Sequence, residues 1–165
     1  MAPDPRIAVC PGSYDPVTNG HLDILTRASG MFDEVIVAVV NASVRKSRSL
    51  FDAPERIAFI RNATSHLGNI RIEPFDKLLV DFARERGAKA IVKGLRAISD
   101  FEYELEMNQL NRSLASDVES IYLMASPQYS FLSSSGVKEI ATFGGDITEL
   151  VPEEVARRLQ EAFAR

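Results

Sequence analysis

The chain has 165 residues, of which 45% are hydrophobic and 25% are charged, and its net charge at pH 7 is −4. We expect a chain of this length to form one domain, residues 1–165, that buries roughly 70% of its unfolded surface. The negative charge argues against a general nucleic-acid-binding protein, which normally carries a basic excess. The single cysteine, Cys10, excludes an internal disulfide, and the sequence has no Cys/His cluster with metal-ligand spacing.

Targeting and membrane signals are not evident in the sequence. The N-terminal MAPDPR lacks the basic and apolar regions of a secretory signal, and no apolar run approaches the roughly 18 residues of a membrane span. We therefore expect a cytoplasmic protein that binds neither nucleic acid nor membrane.

Short apolar segments rich in β-branched residues alternate with helical patterns along the chain. We predict strands at 6–10, 34–40, 70–75, 89–94 and 120–125, and helices at 20–31, 54–67, 78–86, 100–114, 134–143 and 152–164. This alternation predicts an α/β fold with a single doubly wound parallel sheet, covered by helices on both faces. Because ligands of such sheets bind beyond the carboxyl ends of the strands, the segments that follow the strands form the candidate site.

The first of these segments is PGSYDPVTNGH, residues 11–21. Gly12 allows a phosphate to approach the backbone, Ser13 offers a hydroxyl, and the following helix N-terminus favours an anion. The spacing matches neither GxGxxG nor GxxxxGK[ST], which argues against a nicotinamide site and a P-loop kinase. The alternative is a capped tight turn in which His21 has no special role.

Basic residues follow the second strand, in the segment NASVRKSRSLF that contains Arg45, Lys46 and Arg48. Such a run is commonly a solvated surface. Its place after a strand favours phosphate binding instead.

The fourth strand ends in VKGLRAISDFEYE. Lys93 closes an apolar strand, where an ammonium is costly to bury without an anionic partner, and Arg96 can present several donors to a phosphate. We expect Asp100 to cap the helix that carries Glu104. The alternative is a set of structural ion pairs.

The fifth strand is followed by SPQYSFLSSSGVKE, in which Ser133, Ser134 and Ser135 open a helix. These serines are either helix caps or, with free N–H groups, an anion site. Four such segments at one sheet edge predict a polyanionic ligand.

The helix DFEYELEMNQLNRSL carries more apolar surface than one core contact needs, which favours oligomerisation. The residues concerned are Phe101, Tyr103, Leu105, Met107, Leu110 and Leu114.

Four motifs in order resemble those of the phosphopantetheine adenylyltransferase family of the bacterial coenzyme A pathway: PGSYDPVTNGH, VKGLRAISDFEYE, YSFLSSS followed by VKE, and GGDITELVPE. The likeness runs from about Ile7 to the final helix. It implies a Rossmann-like nucleotidyltransferase fold and transfer of AMP from ATP to 4'-phosphopantetheine, giving dephospho-coenzyme A and pyrophosphate. It also implies Mg²⁺ bound through substrate phosphates, a cytoplasmic setting and a homohexamer.

The resemblance also assigns roles to residues. The family's transition-state histidine falls on His21, with Lys93 and Arg96 as its basic partners in catalysis. Acceptor contacts fall on Ser13, Leu79, Lys93 and, in a loop that is about three residues longer than usual, either Arg45 or Lys46. ATP contacts fall on Ser13, Tyr14, His21, Gly94, Leu95, Arg96, Glu104, Tyr129, Ser130, Phe131, Leu132, Ser133, Ser134 and Ser135.

The chain departs from the usual family pattern at a few positions. Ser13 replaces the commoner Thr, Tyr14 stands where Phe is usual, and Lys93 replaces an Arg of many members. Gly136 stands where a larger apolar residue is expected, and we expect it to loosen the start of its helix.

The mechanism implied is direct in-line attack of a phosphate monoester on ATP, without a covalent intermediate or a general base. The residues leave two other functions open. One is a nucleotidyltransferase of the same superfamily that acts on nicotinate mononucleotide or glycerol 3-phosphate. The other is a non-catalytic nucleotide-binding module.

Overall fold

The computed structural model describes residues 3–41 and 48–164. Arg45 and Lys46, the two candidates for an acceptor-binding base, lie outside the described residues. Within the described chain, strands and helices alternate as the sequence predicts. The elements are β1 (Ile7–Gly12), α1 (Asn19–Ser29), β2 (Glu34–Val40), α2 (Ala53–Ala63), β3 (Ile70–Phe75), α3 (Leu79–Glu85), β4 (Ala90–Leu95), α4 (Ile98–Leu114), β5 (Glu119–Met124), a 3₁₀ turn (Pro127–Tyr129), α5 (Ser134–Thr142) and α6 (Glu153–Phe163).

The strands form one parallel sheet in the order β3-β2-β1-β4-β5. The chain winds outward from β1 to β3, then returns to the other side of β1 for β4 and β5. The strand order therefore reverses between β1 and β4, and a crevice opens there at the carboxyl ends of the strands. The predicted α/β fold with a doubly wound parallel sheet is confirmed.

Side chains of the central strands alternate between two cores, because successive residues of a strand point to opposite faces. Along β2, Val35, Val37 and Val39 pack in the larger core, whereas Ile36 and Ala38 pack in the smaller one. The larger core contains buried residues of α1, α2, α5 and α6, and the smaller one contains those of α3. Coverage of both faces explains why this strand reads as continuously apolar.

Helix α4 differs from the other helices because none of its residues is buried. Its exposed apolar side chains include Ile98, Phe101, Tyr103, Leu105, Leu110 and Leu114, with exposures between 47% and 81%. It contacts both β4 and β5: Lys93 of β4 pairs with Glu104, and Tyr122 of β5 donates a hydrogen bond to the carbonyl of Glu104. The apolar pattern predicted for this helix is therefore present as an open surface.

Candidate active site

The candidate site is a cavity of about 580 Å³ at the crevice between β1 and β4. This volume lies within the usual range for small-molecule sites. Its lining includes these members of the predicted set: Tyr14, His21, Lys93, Gly94, Arg96, Glu104, Tyr129, Leu132, Ser133, Ser134 and Ser135.

His21 is held in the first turn of α1 by a reciprocal cap with Thr18. The Thr18 hydroxyl oxygen accepts from the His21 N–H at 3.3 Å, and the Thr18 main-chain N–H donates to Nδ1 of His21 at 2.9 Å. Two donors at the start of the helix are thereby satisfied, as in a capping box. Because Nδ1 accepts a hydrogen bond, the proton of the neutral imidazole lies on Nε2.

Burial, and to a smaller extent the charge of Arg96, lower the pKa of His21 from 6.5 to about 4. The imidazole is therefore neutral near pH 7 in the unliganded protein. A neutral imidazole with its proton on Nε2 can donate a hydrogen bond but is a poor base at Nδ1, which is already occupied. The capped turn considered from the sequence is present, with Thr18 as its N-cap, and the role of His21 in the site stays a prediction.

The side chain of Tyr14 packs against the ring of His21. Its ring is buried and meets the His21 ring edge to face, with 5.0 Å between ring centroids, and its hydroxyl donates to the Cys10 carbonyl at 3.0 Å. Its φ of +49° is unusual for a residue other than glycine. A Cβ on Gly12 would lie 2.9 Å from this ring, so glycine is required there for the close packing.

Two further contacts hold the start of α1 in place. The Asn19 main-chain N–H donates to the Leu150 carbonyl at 2.9 Å, and the Asn19 side-chain amide donates to the Glu149 carbonyl at 2.9 Å. Both acceptors belong to the GGDITELVPE motif. The motif therefore supports the helix that carries His21.

Two cations at the end of β4, Lys93 within the strand and Arg96 directly after it, are both paired with carboxylates of α4. Lys93 lies 2.9 Å from Glu104, with both side chains about one-fifth exposed, and Arg96 pairs with Asp100 at 3.2 Å. Arg96 also donates to the Leu132 carbonyl at 2.7 Å, which links β4 to the segment before α5. The structural ion pairs considered from the sequence are present, and the phosphate-binding role of the two cations stays a prediction.

The expected cap of α4 by Asp100 is wrong. Helix α4 begins at Ile98, with Ala97 as its N-cap and no side-chain cap bond, so Asp100 already lies in the first turn. Its carboxylate instead accepts from the main-chain N–H and Nε of Arg96. Helix α4 therefore starts at Ile98, earlier than the predicted residue 100.

The three serines before α5 have different surroundings. Ser133 is the N-cap and accepts from the Gly136 N–H at 3.0 Å, whereas the Ser134 hydroxyl donates to the Pro16 carbonyl at 2.7 Å. Ser135 is exposed. The effect of Gly136 on the start of the helix stays a prediction; its N–H makes the capping bond, and a Cβ there would lie 3.1 Å from the Ser133 hydroxyl oxygen.

Several predicted site residues lie outside the cavity lining. Ser13 is exposed in the loop after β1, and Leu95 is buried in the sheet. Ser130 donates a hydrogen bond to the Pro127 carbonyl, and the side chain of Phe131 is 73% exposed. Leu79 begins α3 and packs against the smaller core, on the opposite face of the sheet from Tyr14.

Asp15 and Arg56 are buried charged residues beside the site that the sequence reading did not single out. Asp15 accepts hydrogen bonds from the main-chain N–H groups of Leu50 and Phe51 and pairs with Lys138. The sequence feature that could have identified Arg56 is its position in α2. It lies three and four residues before the apolar core positions of this helix, which places it on the buried face.

Membrane contact by a spanning segment is not indicated: no helix in residues 3–41 and 48–164 is long and apolar enough to cross a bilayer.

Comparison with known proteins assigns the chain to a family. A family model described as cytidylyltransferase-like matches residues 9–140. The phosphopantetheine adenylyltransferase of Streptomyces coelicolor is 56% identical over 156 residues, covering 94% of this chain and 96% of the relative. That of Rubrobacter xylanophilus is 51% identical over 160 residues, covering 97% and 96%.

Solved structures share the fold at low sequence identity. A Vibrio parahaemolyticus protein described provisionally as a nicotinate-nucleotide adenylyltransferase has a TM-score of 0.71 at 17% identity, over 97% of this chain and 96% of its own. A lipopolysaccharide core biosynthesis protein from Thermoplasma volcanium has a TM-score of 0.54 at 19% identity, over 74% and 97%. The structural likeness shows the fold, and the two close relatives show that this chain belongs to the phosphopantetheine adenylyltransferase family.

Proposed function

We propose that this chain transfers AMP from ATP to 4'-phosphopantetheine and releases dephospho-coenzyme A and pyrophosphate. The main support for this proposal is the orientation of the His21 imidazole. Its Nδ1 accepts from Thr18, which leaves an Nε2–H donor at a cavity lined by Lys93, Arg96 and the serines before α5. This is a site for two polyanions.

The chemistry proposed is a single displacement. An oxygen of the acceptor's phosphate attacks the α-phosphorus of ATP, a new P–O bond forms, and the bond to the β-phosphate oxygen breaks so that pyrophosphate leaves. The attacking monoester is already anionic near pH 7, so no general base is needed. The task of the protein is to align the reactants and to stabilise charge on the phosphoryl oxygens.

His21 would donate from Nε2 to the α-phosphate as negative charge develops on it. A positioned donor of this kind acts mainly on the transition state, because it costs no reorganisation during the reaction. A bound polyanion would also raise the pKa of His21 from its low value of about 4, because nearby negative charge favours the imidazolium. The hydrogen bond to the α-phosphate would then become charge-assisted.

Lys93 would bind the acceptor's phosphate together with Arg45 or Lys46, and Arg96 with the Ser133–Ser135 segment would bind the triphosphate. In the unliganded protein, Glu104 and Asp100 neutralise Lys93 and Arg96. We infer that phosphate oxygens take over these cations when the substrates bind. Ser13 and Leu79 are proposed to contact the acceptor outside the cavity described above.

The proposal includes Mg²⁺. The described carboxylates of the cavity, Asp100 and Glu104, are paired with Arg96 and Lys93, so they fit ion-pair roles better than metal ligation. We propose that Mg²⁺ is bound through substrate phosphates, as is common for an ion that keeps several waters. When bound, it supplies charge neutralisation between the phosphates.

We further propose that the chain works in the cytoplasm as a homohexamer. The support is the open apolar face of α4, since exposed apolar patches of this kind mark association surfaces. Sedimentation velocity of the purified chain and of Leu110→Glu tests this. A hexamer that the substitution dissociates supports the proposal, and a monomeric parent chain contradicts it.

The activity is tested by incubating the chain with ATP, Mg²⁺ and phosphopantetheine and identifying the product by mass. We expect dephospho-coenzyme A with an equal amount of pyrophosphate, and little product with CTP. No pyrophosphate with this pair, but release with nicotinate mononucleotide or glycerol 3-phosphate as acceptor, would move the chain to another nucleotidyltransferase activity. Nucleotide binding without turnover on any acceptor would identify a binding module.

A further inference from the structure

Arg56 is the largest fully buried side chain of the described residues, with 1% exposure. Its three hydrogen bonds in the described chain go to main-chain carbonyls, and its Nη2 has no partner there. A buried cation is costly to keep without a direct anionic partner. A position that only filled space on α2 would be better served by an apolar side chain.

The three carbonyls belong to three separate segments around the candidate site. Nη1 donates to Ser13 at 2.5 Å and to Val40 at 3.0 Å, and Nε donates to Phe51 at 3.0 Å. Ser13 follows β1, Val40 ends β2, and Phe51 precedes α2. One guanidinium therefore joins the turn after β1 to the end of β2 and the start of the next helix.

Asp15 makes the reciprocal contacts from the other side of the same junction. Its buried carboxylate accepts from the Leu50 N–H at 2.8 Å and the Phe51 N–H at 2.9 Å. Residues 13–15 and 50–51 are thus joined by a cation that binds carbonyls and an anion that binds amides. Each group satisfies main-chain atoms that a buried loop would otherwise leave unpaired.

The contact with Ser13 fixes a peptide in the loop between β1 and α1. The peptide group is planar, so the Ser13 carbonyl and the Tyr14 N–H point in opposite directions. With the carbonyl bound to the buried guanidinium, the Tyr14 N–H faces away from Arg56. Tyr14 also has the unusual φ of +49°, which persists only where its surroundings determine it.

We propose that Arg56 is a positioning residue for adenylyl transfer: it fixes the Ser13–Tyr14 peptide in the orientation that the substrates and His21 require, without touching a substrate. The inference rests on the proposed function, in which Ser13 contacts the acceptor.

The test compares Arg56→Ala with Arg158→Ala in the full chain. Arg158 is the matched control because its guanidinium lies 5.9 Å from the Phe51 ring and pairs with Glu55, yet it binds none of the three carbonyls. Misplacement of reacting groups by about 1 Å can cost roughly 10²-fold in rate, so we expect about this loss of kcat in Arg56→Ala. We expect ATP affinity to change less, and kcat of Arg158→Ala to stay near the parent value.

Chemical rescue separates positioning from a general loss of stability. Guanidinium chloride at a concentration that does not unfold the chain should restore part of kcat in Arg56→Ala, beyond the effect of an equal concentration of sodium chloride. Arg56→Lys, which keeps the charge but loses the fork of donors, should fall between Arg56→Ala and the parent. A folded Arg56→Ala with the parent kcat, or an equal loss in both alanine variants, would contradict the proposal.

Amide hydrogen exchange gives a readout that does not depend on turnover. We expect the amides of Tyr14 and Phe51 to exchange faster in Arg56→Ala than in Arg158→Ala. A parent chain that forms no dephospho-coenzyme A would contradict the proposed function, and exchange would still decide the role of Arg56. Unchanged exchange at both amides would show that Arg56 does not fix this peptide.

Discussion

The main-chain N–H of Thr18 donates a 2.9 Å hydrogen bond to Nδ1 of His21, and the Thr18 hydroxyl accepts from the His21 N–H. The two residues therefore begin helix α1 and set the tautomer of the imidazole with the same pair of contacts. A feature that reads as simple helix capping also prepares the Nε2–H as a donor. In the proposed mechanism, this pair therefore contributes both to the stability of α1 and to catalysis.

Thr18→Val should weaken the start of α1, because the variant loses the oxygen that accepts from His21. Loss of an N-cap typically costs about 0.5–2 kcal/mol of unfolding free energy, whereas Thr18→Ser should retain most of it. Urea unfolding of the three chains measures this. Equal stability of Thr18→Val and the parent would show that the hydroxyl does not cap the helix.

The unfolding free energy should depend on pH through His21. Its pKa is about 4 in the folded chain and near 6.5 when unfolded, so between these values the unfolded chain binds the extra proton. Stability from this group is complete above about pH 6.5 and falls as the pH drops toward about 4.

His21→Gln removes the titrating group, so its unfolding free energy should fall less than that of the parent across this window. Urea unfolding at pH values of about 6.5, 5.5 and 4.5 checks this. His66→Gln, which changes an exposed histidine, is the matched control. Identical pH dependence in His21→Gln and the parent would mean that the His21 pKa is not lowered by folding.

Lys93→Ala should weaken binding of the phosphorylated acceptor more than that of ATP. A hydrogen bond to a charged group is worth about 1.5–3 kcal/mol, which corresponds to roughly 10- to 150-fold in affinity. Lys93→Arg should retain much of the affinity. Glu104→Gln is the control, since it breaks the same ion pair but keeps the ammonium. An unchanged KM for phosphopantetheine in Lys93→Ala would assign Lys93 to the ion pair alone.

The double substitution Arg45→Ala with Lys46→Ala should raise the acceptor's KM by a comparable roughly 10- to 150-fold, because one of these residues is proposed to bind its phosphate. Arg61→Ala with Lys89→Ala removes the same charge from exposed positions and serves as the control. If both double variants have the parent's acceptor KM, the segment after β2 is only a solvated surface.

The strands could be predicted because the sequence patterns that mark them are local. β2 and β3 lie at 34–40 and 70–75 as predicted, since runs of β-branched apolar residues bounded by turns have few other stable solutions. The start of α4 was predicted too late, because its N-cap is Ala97, which makes no side-chain cap bond and gives no capping signature in the sequence.

The site residues that could be predicted are those whose positions follow from the ends of the strands. His21 opens a helix, Lys93 lies near the end of a strand and Arg96 follows that strand, so the fold rule alone brings them to one edge. Arg56 and Asp15 were missed because their role depends on contacts with segments 35 to 43 residues away. Such contacts leave no periodic trace in the sequence.

The most direct test of the proposed mechanism compares kcat of His21→Ala with its ATP affinity and its thermal midpoint. Removal of one preorganised donor typically costs about 2.7–4 kcal/mol in the transition state, so we expect kcat to fall roughly 10²–10³-fold while ATP binding changes little. If His21 only caps the helix, stability should drop by about 1–2 kcal/mol and the folded molecules should turn over almost normally. A folded variant that binds ATP and has the parent's kcat would contradict the mechanism.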